Sequence, residues 1–498
     1  MAKKINLSKS ALLLTVAFAI IYSAYMQFLS PAFSEPDSYY HIAISNLIKQ
    51  FGLHYPFDWA QFSTFKYSFS DKDLLFHLLT LPFLFLSDNL ILAGKYAFVF
   101  HAALFILVYV FILKKYAPDL LAAVLLVLLF TSLTFASYLL QLRSMTLANI
   151  LIILGIYLLI NKNRWGVFIV SLLYSLAHVS FFMILLFAFI FEILRWSLNK
   201  EFFAKNIYLA AGGVILGCLL HPNFPNNLFS LYLNGFVVPL YEFTGTDLGF
   251  ADELWSLNTR LTLIGNFSVF LCLGIVFWSS LLKKQRAGFA TCAWFFATSV
   301  YLSLAFLGNR YWYQANVLFY IFFASYLKDW VENREWKKII SRFKVPMIFC
   351  LIAVTAISFY NLKQLKESIR VSGARSMHFE NVGRWMQKNI PAKETIYHSY
   401  WGDSPYFLCL NPKDNYINIL DPIYMFYRYP KELDLLNEMS LGRVDKPYEV
   451  FKNIFKANYG YINKFEPLYR QIREDARQFK VIYEDREGIV FKLLKNTS

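Results

Sequence analysis

The sequence predicts a mainly α, polytopic membrane protein of about eleven transmembrane helices, followed by a C-terminal α/β domain outside the membrane. Three observations carry this expectation. Of 498 residues, 57% are hydrophobic and 19% aromatic, while only 16% are charged, which is more apolar surface than one soluble core can bury. The apolar residues gather in runs near 11–29, 91–113, 118–138, 144–161, 165–181, 182–196, 207–221, 261–282, 287–307, 311–330 and 345–361. Most of these approach the length that crosses a hydrocarbon core of about 30 Å. Finally, the basic residues cluster on alternate connections between the runs: Lys114-Lys115, Lys162/Arg164, Arg195/Lys200/Lys205, Lys283-Lys284/Arg286 and the segment 328–344.

Each element follows in order. The chain opens Met1-Ala2-Lys3-Lys4, and no small-residue cleavage site follows the first apolar run, so that run reads as a retained helix. If it leaves the cytoplasm, every basic cluster becomes cytoplasmic. The connections 32–90, 139–143, 178–182, 222–260 and 308–310, and the tail from 362 onward, then lie on the opposite face. The expected organisation is a membrane domain over 1–361, with outer loops 32–90 and 222–260, and an extracytoplasmic domain over 362–498. A cytoplasmic (inner) membrane with a cytoplasmic N-terminus is the expected location. The split of 165–196 into two spans rests on His178 and Ser180. The net charge of +15 is explained by these clusters, so no nucleic-acid partner is expected. Four of five cysteines, Cys218, Cys272, Cys292 and Cys350, lie in apolar runs and only Cys409 in the tail, which offers no disulfide framework.

The outer face collects the polar residues that look chosen: Glu35, Asp37, His41, Asp71, Asp73, His77, Arg143, His178, His221, Asn223, Glu242, Asp247, Asp252, Arg260 and Arg310. Ionisable groups near membrane depth are costly and face a cavity, a partner or a substrate path; singly, each also fits a solvated loop or a snorkelling helix end. The sharpest feature is Ser34-Glu35-Pro36-Asp37-Ser38-Tyr39-Tyr40-His41. An acidic residue before Pro, then Tyr40, Ile44, Leu47 and Ile48 at helical spacing, marks a helix start with Pro in its first turn. Asp37 then sits at the positive end of the helix macrodipole, with His41 one turn later on the same face. Such a carboxylate is suited to accept a proton or hold a divalent cation; a capped interfacial helix with an ordinary Asp is the plain alternative. A second acidic pair, Asp71-Lys72-Asp73, precedes 74–83, an apolar run too short to span, expected to lie on the outer surface. The tail alternates strand-like runs (416–420, 459–463, 480–483, 488–493) with helical ones (380–389, 431–438, 448–457, 468–478) and carries no glycine-rich phosphate loop, so a small open α/β sheet and no nucleotide cofactor are expected.

This layout resembles the GT-C superfamily of polyprenyl-linked-sugar glycosyltransferases: a first span, a long outer loop opening on an acidic-x-Asp-x-aromatic-aromatic motif, surface helices, many further spans and an outer C-terminal domain. Glu35-Pro36-Asp37-Ser38-Tyr39-Tyr40-His41 resembles most the first-loop motif of the catalytic subunit of oligosaccharyltransferase, especially its archaeal versions. Gln141-Leu142-Arg143 and Gly308-Asn309-Arg310-Tyr311 are similar to places where such enzymes set an arginine near the lipid phosphate. Trp401-Gly402-Asp403 stands where that family carries its Trp-Trp-Asp-Tyr-Gly acceptor motif, with Trp401 and Asp403 in correspondence and Gly402 departing from it. The resemblance implies inverting transfer of a sugar or glycan from a polyprenyl-(di)phosphate donor to a glycan, lipid or protein acceptor at the outer membrane face. Asp37 is the expected catalytic residue. Glu35, Tyr40, His41, Arg143, His178, His221, Arg260, Arg310, Tyr311, Trp401 and Asp403 are the expected substrate contacts. Asp37, Asp71 and Asp73 are candidate ligands for Mg2+ or Mn2+. A transporter or flippase of lipid-linked sugars or another solute remains the alternative, although no inverted repeat is visible and the span interiors are nearly free of charge. A membrane-anchored assembly protein is a third reading.

Overall fold

The computed structural model describes residues 7–245, 248–255, 258–282, 287–331 and 336–494. Asp247, the Lys283-Lys284/Arg286 cluster, part of the segment 328–344 and the side chain of Glu242 fall outside the described residues.

Each of the eleven apolar runs falls on a helix: Leu7–Gln27 (α1), Leu90–Leu113, the pair Asp119–Thr131 and Leu133–Leu139, Ser144–Ile160, Arg164–Ala177, Phe182–Asn199, Ala204–Leu220, Phe267–Leu282, Phe289–Leu307, Tyr311–Val331 and Trp336–Asn389. Among the described residues, five helices are long and apolar enough to cross a membrane singly, and two bent pairs bring the number to seven. The bends are sharp, 85° between Asp119–Thr131 and Leu133–Leu139, and 79° where Thr259–Gly265 meets the following helix. A break inside an apolar layer frees carbonyls that need partners. Asn361 supplies both, donating from Nδ2 to Thr131 O (3.0 Å) and Ile264 O (3.2 Å). Ser132 caps the second half of its own pair, accepting from Phe135 N at 3.1 Å, and donates to Asn266 Oδ1 at 3.0 Å. Elsewhere small residues set the packing distance. A Cβ on Gly213 would lie 2.3 Å from Phe168 O, and one on Gly217 2.7 Å from Leu172 O. Ala204–Leu220 therefore rests its backbone directly on Arg164–Ala177.

The first outer loop forms two helices that matter below, Pro36–Phe51 (α2) and Leu74–Thr80 (α3), the latter running into a 3-10 turn, Leu81–Phe85. The start of α2 is built as its residues dictate. Glu35 is the N-cap, its carboxylate accepting from Asp37 N (2.8 Å) and Ser38 N (2.7 Å), Pro36 fills the first turn, and Gly52 closes the helix at φ +81°.

The helix that carries the last apolar run does not end at 361. Trp336–Asn389 (α4) is one helix of 54 residues, roughly 80 Å at 1.5 Å per residue, so the expected boundary at 361/362 lies inside it, and the expected helix 380–389 is its end. Hydropathy changes there because the helix passes from apolar to polar surroundings; Leu362-Lys363-Gln364-Leu365-Lys366-Glu367 are all good helix formers, so nothing breaks the backbone.

Beyond α4 a five-stranded mixed sheet forms from Thr395–His398 (β1), Asn415–Tyr416 (β2), Tyr459–Asn463 (β3), Phe479–Glu484 (β4) and Gly488–Leu493 (β5), in the order β2-β1-β3-β5-β4. β1 is parallel to β2 and β3, while β5 is antiparallel to β3 and β4. The expected strand 416–420 is shorter than its apolar pattern and stops after Tyr416; Leu420 turns the chain at φ +62°. The first outer loop completes the sheet edge: Gln61 N donates to Tyr416 O (2.8 Å), Phe62 N to Ile417 O (2.7 Å), and Tyr416 N to Trp59 O (2.6 Å). Tyr39 adds a second tie, its hydroxyl donating to Glu380 Oε1 at 2.7 Å and its ring meeting that of Tyr406 at 4.5 Å. The tail and the first loop are thus built into each other.

Candidate active site

The start of α2, the start of α3, the Arg143 turn, the His178 break and the tail loop at Asp421 meet around one cavity of about 380 Å3, within reach of the range for small-molecule sites. It is lined by Asp37, Tyr40, His41, Asp73, Arg143, His178, Arg310 and Tyr311, so eight of the residues singled out in the sequence converge there. Lys72, Glu253 and Asp421 join them, and none of these three was expected. Lys72 stands between the two aspartates of its motif and Glu253 beside Asp252, so each was one position from a residue that drew notice. Asp421 had no local signal.

Arg143 organises the charges. It leads into Ser144–Ile160, and its guanidinium reaches Asp37 through NH2, Glu253 through NH1 at 2.6 Å and Glu35 through Nε at 3.4 Å. Its neighbour Leu142 is fixed by a hydrogen bond from its N–H to Ser38 Oγ at 3.0 Å, which registers the Arg143 turn on α2. Glu253 is placed by a backbone clasp: Arg310 N donates to Glu253 O (3.1 Å) and Asn309 N to Trp255 O (3.0 Å). Burial pushes Glu253 up, but Arg143, Arg310 and Lys72 together outweigh it and hold the carboxyl below its ordinary value. Burial also dominates Glu35, with Arg143 opposing and Asp37 adding to it, and the carboxyl is pushed up to about 7. Burial alone would pull Lys72 down; Tyr424, Asp73, Asp421 and Asp37 hold its ammonium above the usual lysine value instead. The guanidinium of Arg310 lies 4.9 Å over the Tyr311 ring and donates to the Tyr311 hydroxyl at 2.9 Å.

The remaining expected residues lie elsewhere. Glu35 sits behind Arg143 as the α2 cap rather than on the cavity wall. Asp71 turns away: both its oxygens lie on Nδ1 of His77, at 2.8 and 2.7 Å. His221 bonds the backbone oxygen of Asp71 through Nε2 at 3.0 Å and borders a separate small void. Arg260 is exposed at the start of Thr259–Gly265. Trp401 donates from its indole to Gly249 O at 2.7 Å, and Asp403 is 2% exposed beside a second cavity of about 180 Å3.

The expected metal set does not assemble. Asp37 is engaged by Arg143 and Asp71 by His77; among the described residues no group of three His, Cys, Asp or Glu is arranged to hold a metal. Residues 71 and 73 need convergent side chains to share an ion, and here Asp71 turns to His77 while Asp73 lines the cavity.

No protein-family model matches the chain, and no curated protein does. Solved structures do. ArnT from Cupriavidus metallidurans bound to undecaprenyl phosphate superposes with a TM-score of 0.62 over 97% of this chain and 98% of its own, at 11% identity. The archaeal oligosaccharyltransferase AglB from Archaeoglobus fulgidus, in complex with an inhibitory peptide and a dolichol-phosphate, gives 0.62 over 91% of this chain and 69% of its own, at 10% identity. The fold is that of the GT-C glycosyltransferases. A mycobacterial arabinofuranosyltransferase, AftD, gives 0.52 over 97% of this chain and 40% of its own, at 12% identity. The chain is accordingly a polytopic membrane protein with a small C-terminal sheet. The near-complete mutual coverage with ArnT means that membrane helices and tail are shared together.

Proposed function

We propose that this GT-C-fold protein is a membrane glycosyltransferase that moves a sugar from a polyprenyl-phosphate carrier to an acceptor, with inversion, in the cavity between α2 and the tail. The observation that supports this best is the charge pattern: three cations, Lys72, Arg143 and Arg310, face one cavity with Asp37 at a helix start. A leaving lipid phosphate develops negative charge and needs preorganised cations; a nucleophile needs a proton acceptor. The lipid phosphates bound to ArnT and AglB agree with this carrier chemistry.

In this reading the carrier's phosphate enters between Lys72, Arg143 and Arg310. Arg143 serves Glu35, Asp37 and Glu253 at once, so turning it toward phosphate frees Asp37. The Asp37 carboxylate then takes the proton of the acceptor's O–H or N–H, the acceptor atom bonds to the anomeric carbon, and the bond from that carbon to the phosphate oxygen breaks with its electron pair going to phosphate. Basic clusters on the opposite ends of the helices support an extracytoplasmic site in a cytoplasmic membrane. The test is sugar release from a panel of polyprenyl-phosphate sugars by the purified protein and by Asp37→Asn, with products weighed by mass spectrometry. Release by the wild type that disappears in the variant is the expected result, and full release by a folded Asp37→Asn would refute the assignment.

A further inference from the structure

The outer loop at 222–260 opens on a helical stretch built from Asn226–Tyr232, a π turn over Leu233–Val237, and Val238–Thr244. Between 226 and 240 its exposed residues are Leu228, Tyr232, Phe236 and Leu240, at 44, 49, 60 and 60%. All four are large and apolar, and they recur at every fourth position.

That spacing depends on the π turn. An α-helix advances about 100° per residue, so three steps of four would carry a stripe about 120° round the axis. Across Leu233–Val237 the bonding lengthens, with Val238 N donating to Leu233 O, and the wider turn takes up more residues and winds the stripe back. One side of the segment is therefore apolar and uncovered along its length. The other side is engaged by protein. Ser230, Leu233 and Val238 are buried, Asn234 donates from Nδ2 to the Tyr424 hydroxyl of the tail at 2.7 Å, and the ring of Phe229 meets that of Tyr427 at 5.2 Å. Asn234, Gly235, Val238 and Pro239 line the cavity.

The surroundings of the stripe say what covers it. An exposed apolar strip of this extent marks a contact. It takes up where the exposed face of Ala204–Leu220 leaves off, at Ile215, Leu216, Leu219 and Leu220, with Phe224, exposed as well, between the two in sequence. No charged residue occurs from 222 to 241, so the stripe lacks the polar border of a protein-protein contact, and its Tyr232 is of the aromatic type that settles at a membrane surface.

We propose that this stripe is a lipid contact: the segment 226–240 lies along the leaflet on the tail's side, with Leu228, Tyr232, Phe236 and Leu240 among the acyl chains, and a single helix separates the cavity from the bilayer. Interfacial helices usually pair an apolar face with a charged one turned to water; here the cavity and the tail occupy that second face, so no charge is needed. The first part of the loop thus belongs to the membrane domain. The contact stands whether or not the cavity transfers sugar.

The test places benzoylphenylalanine singly at 232, 236 or 240 of the full chain in phosphatidylcholine nanodiscs, with Lys452, exposed in the tail, as the control position. Irradiation is expected to add the mass of one phospholipid at each stripe position and none at 452. Absence of lipid adducts along the stripe, equal adducts at 452, or cross-links from the stripe to a second copy of the chain would each overturn the proposal. A second measurement uses the thermal midpoint in the same nanodiscs, which Phe236→Asp is expected to lower and Phe236→Leu to leave unchanged. An aspartate tolerated as well as leucine would mean that water covers the stripe, and the lipid contact would be lost.

Discussion

Two acidic motifs drew attention in the sequence, Glu35-Pro36-Asp37 in the first outer loop and Trp401-Gly402-Asp403 in the tail, and the fold treats them in opposite ways. Asp37 stands at the start of α2, paired with Arg143 and facing a cavity with two further cations. Asp403 is buried, and burial with the nearby charge of Glu466 pushes its carboxyl well above the ordinary range despite Arg375; Trp401 spends its indole N–H on Gly249 O. One motif presents charge to a cavity, and the other buries its carboxyl and spends its indole N–H on seating the tail against the loop at 248–255. An acidic side chain is thus set up for chemistry when a counter-charge pairs with it at a cavity wall, and for packing when burial dominates.

The largest effect that would break this contrast is at Asp37. Asp37→Asn is expected to lower kcat by 10²–10⁴, on the order of what one positioned proton acceptor supplies, with the thermal unfolding midpoint near that of the wild type. Next comes Lys72→Met, which removes one preorganised cation from the cavity; a loss of roughly 10²-fold in kcat is expected. The pairing of the carboxylates sets the expected response to chelation. Because Asp71 is turned to His77 and Asp37 to Arg143, transfer in EDTA is expected to match transfer in added Mg2+ or Mn2+, and an EDTA-dead, metal-rescued enzyme would show that the carboxylates rearrange around an ion. On the other side of the contrast, Trp401→Phe removes a single hydrogen bond, expected to cost about 1 kcal/mol of stability and to leave kcat within about fivefold. A loss at Trp401 as deep as that at Asp37 would mean that both motifs work on substrate.

These residues also show what a sequence reveals. The α2 start was legible because its determinants are contiguous: an acidic cap, Pro36 in the first turn and an apolar stripe. Arg143, His178 and Arg310 were legible because isolated polar residues at the ends of apolar runs are costly and few. Glu253 and Asp421 were not, since a loop clasp at Asn309 and Arg310 and a turn after β2 bring them to the cavity, and neither leaves a local pattern. Asp71 was read with Asp73 as one acidic pair, yet a single intervening residue sends one side chain to His77 and the other to the cavity. The expected boundary at 361/362 falls inside α4 because hydropathy changes along a helix whose backbone continues unbroken.

The smallest prediction concerns pH and sharpens the boundary between the two behaviours at Glu35, which is both cap and charge. Its carboxyl is pushed up to about 7 by burial, against the pull of Arg143, while an unfolded glutamate ionises near 4.3. Between those values the folded protein holds more protons than the unfolded chain, so stability contributed by this group falls as pH rises from about 4.5 to 7. The shift corresponds to a few kcal/mol at most, on the order of 1.4 kcal/mol per unit. Glu35→Gln cannot ionise, so its unfolding midpoint should decline less steeply over that window. Gln also loses one of the two acceptors used by Asp37 N and Ser38 N, a cost of about 1 kcal/mol that does not depend on pH. The slope, not the offset, therefore reports the titration: equal slopes in both proteins would mean that Arg143 keeps Glu35 ionised throughout, placing it with Asp37 rather than with Asp403.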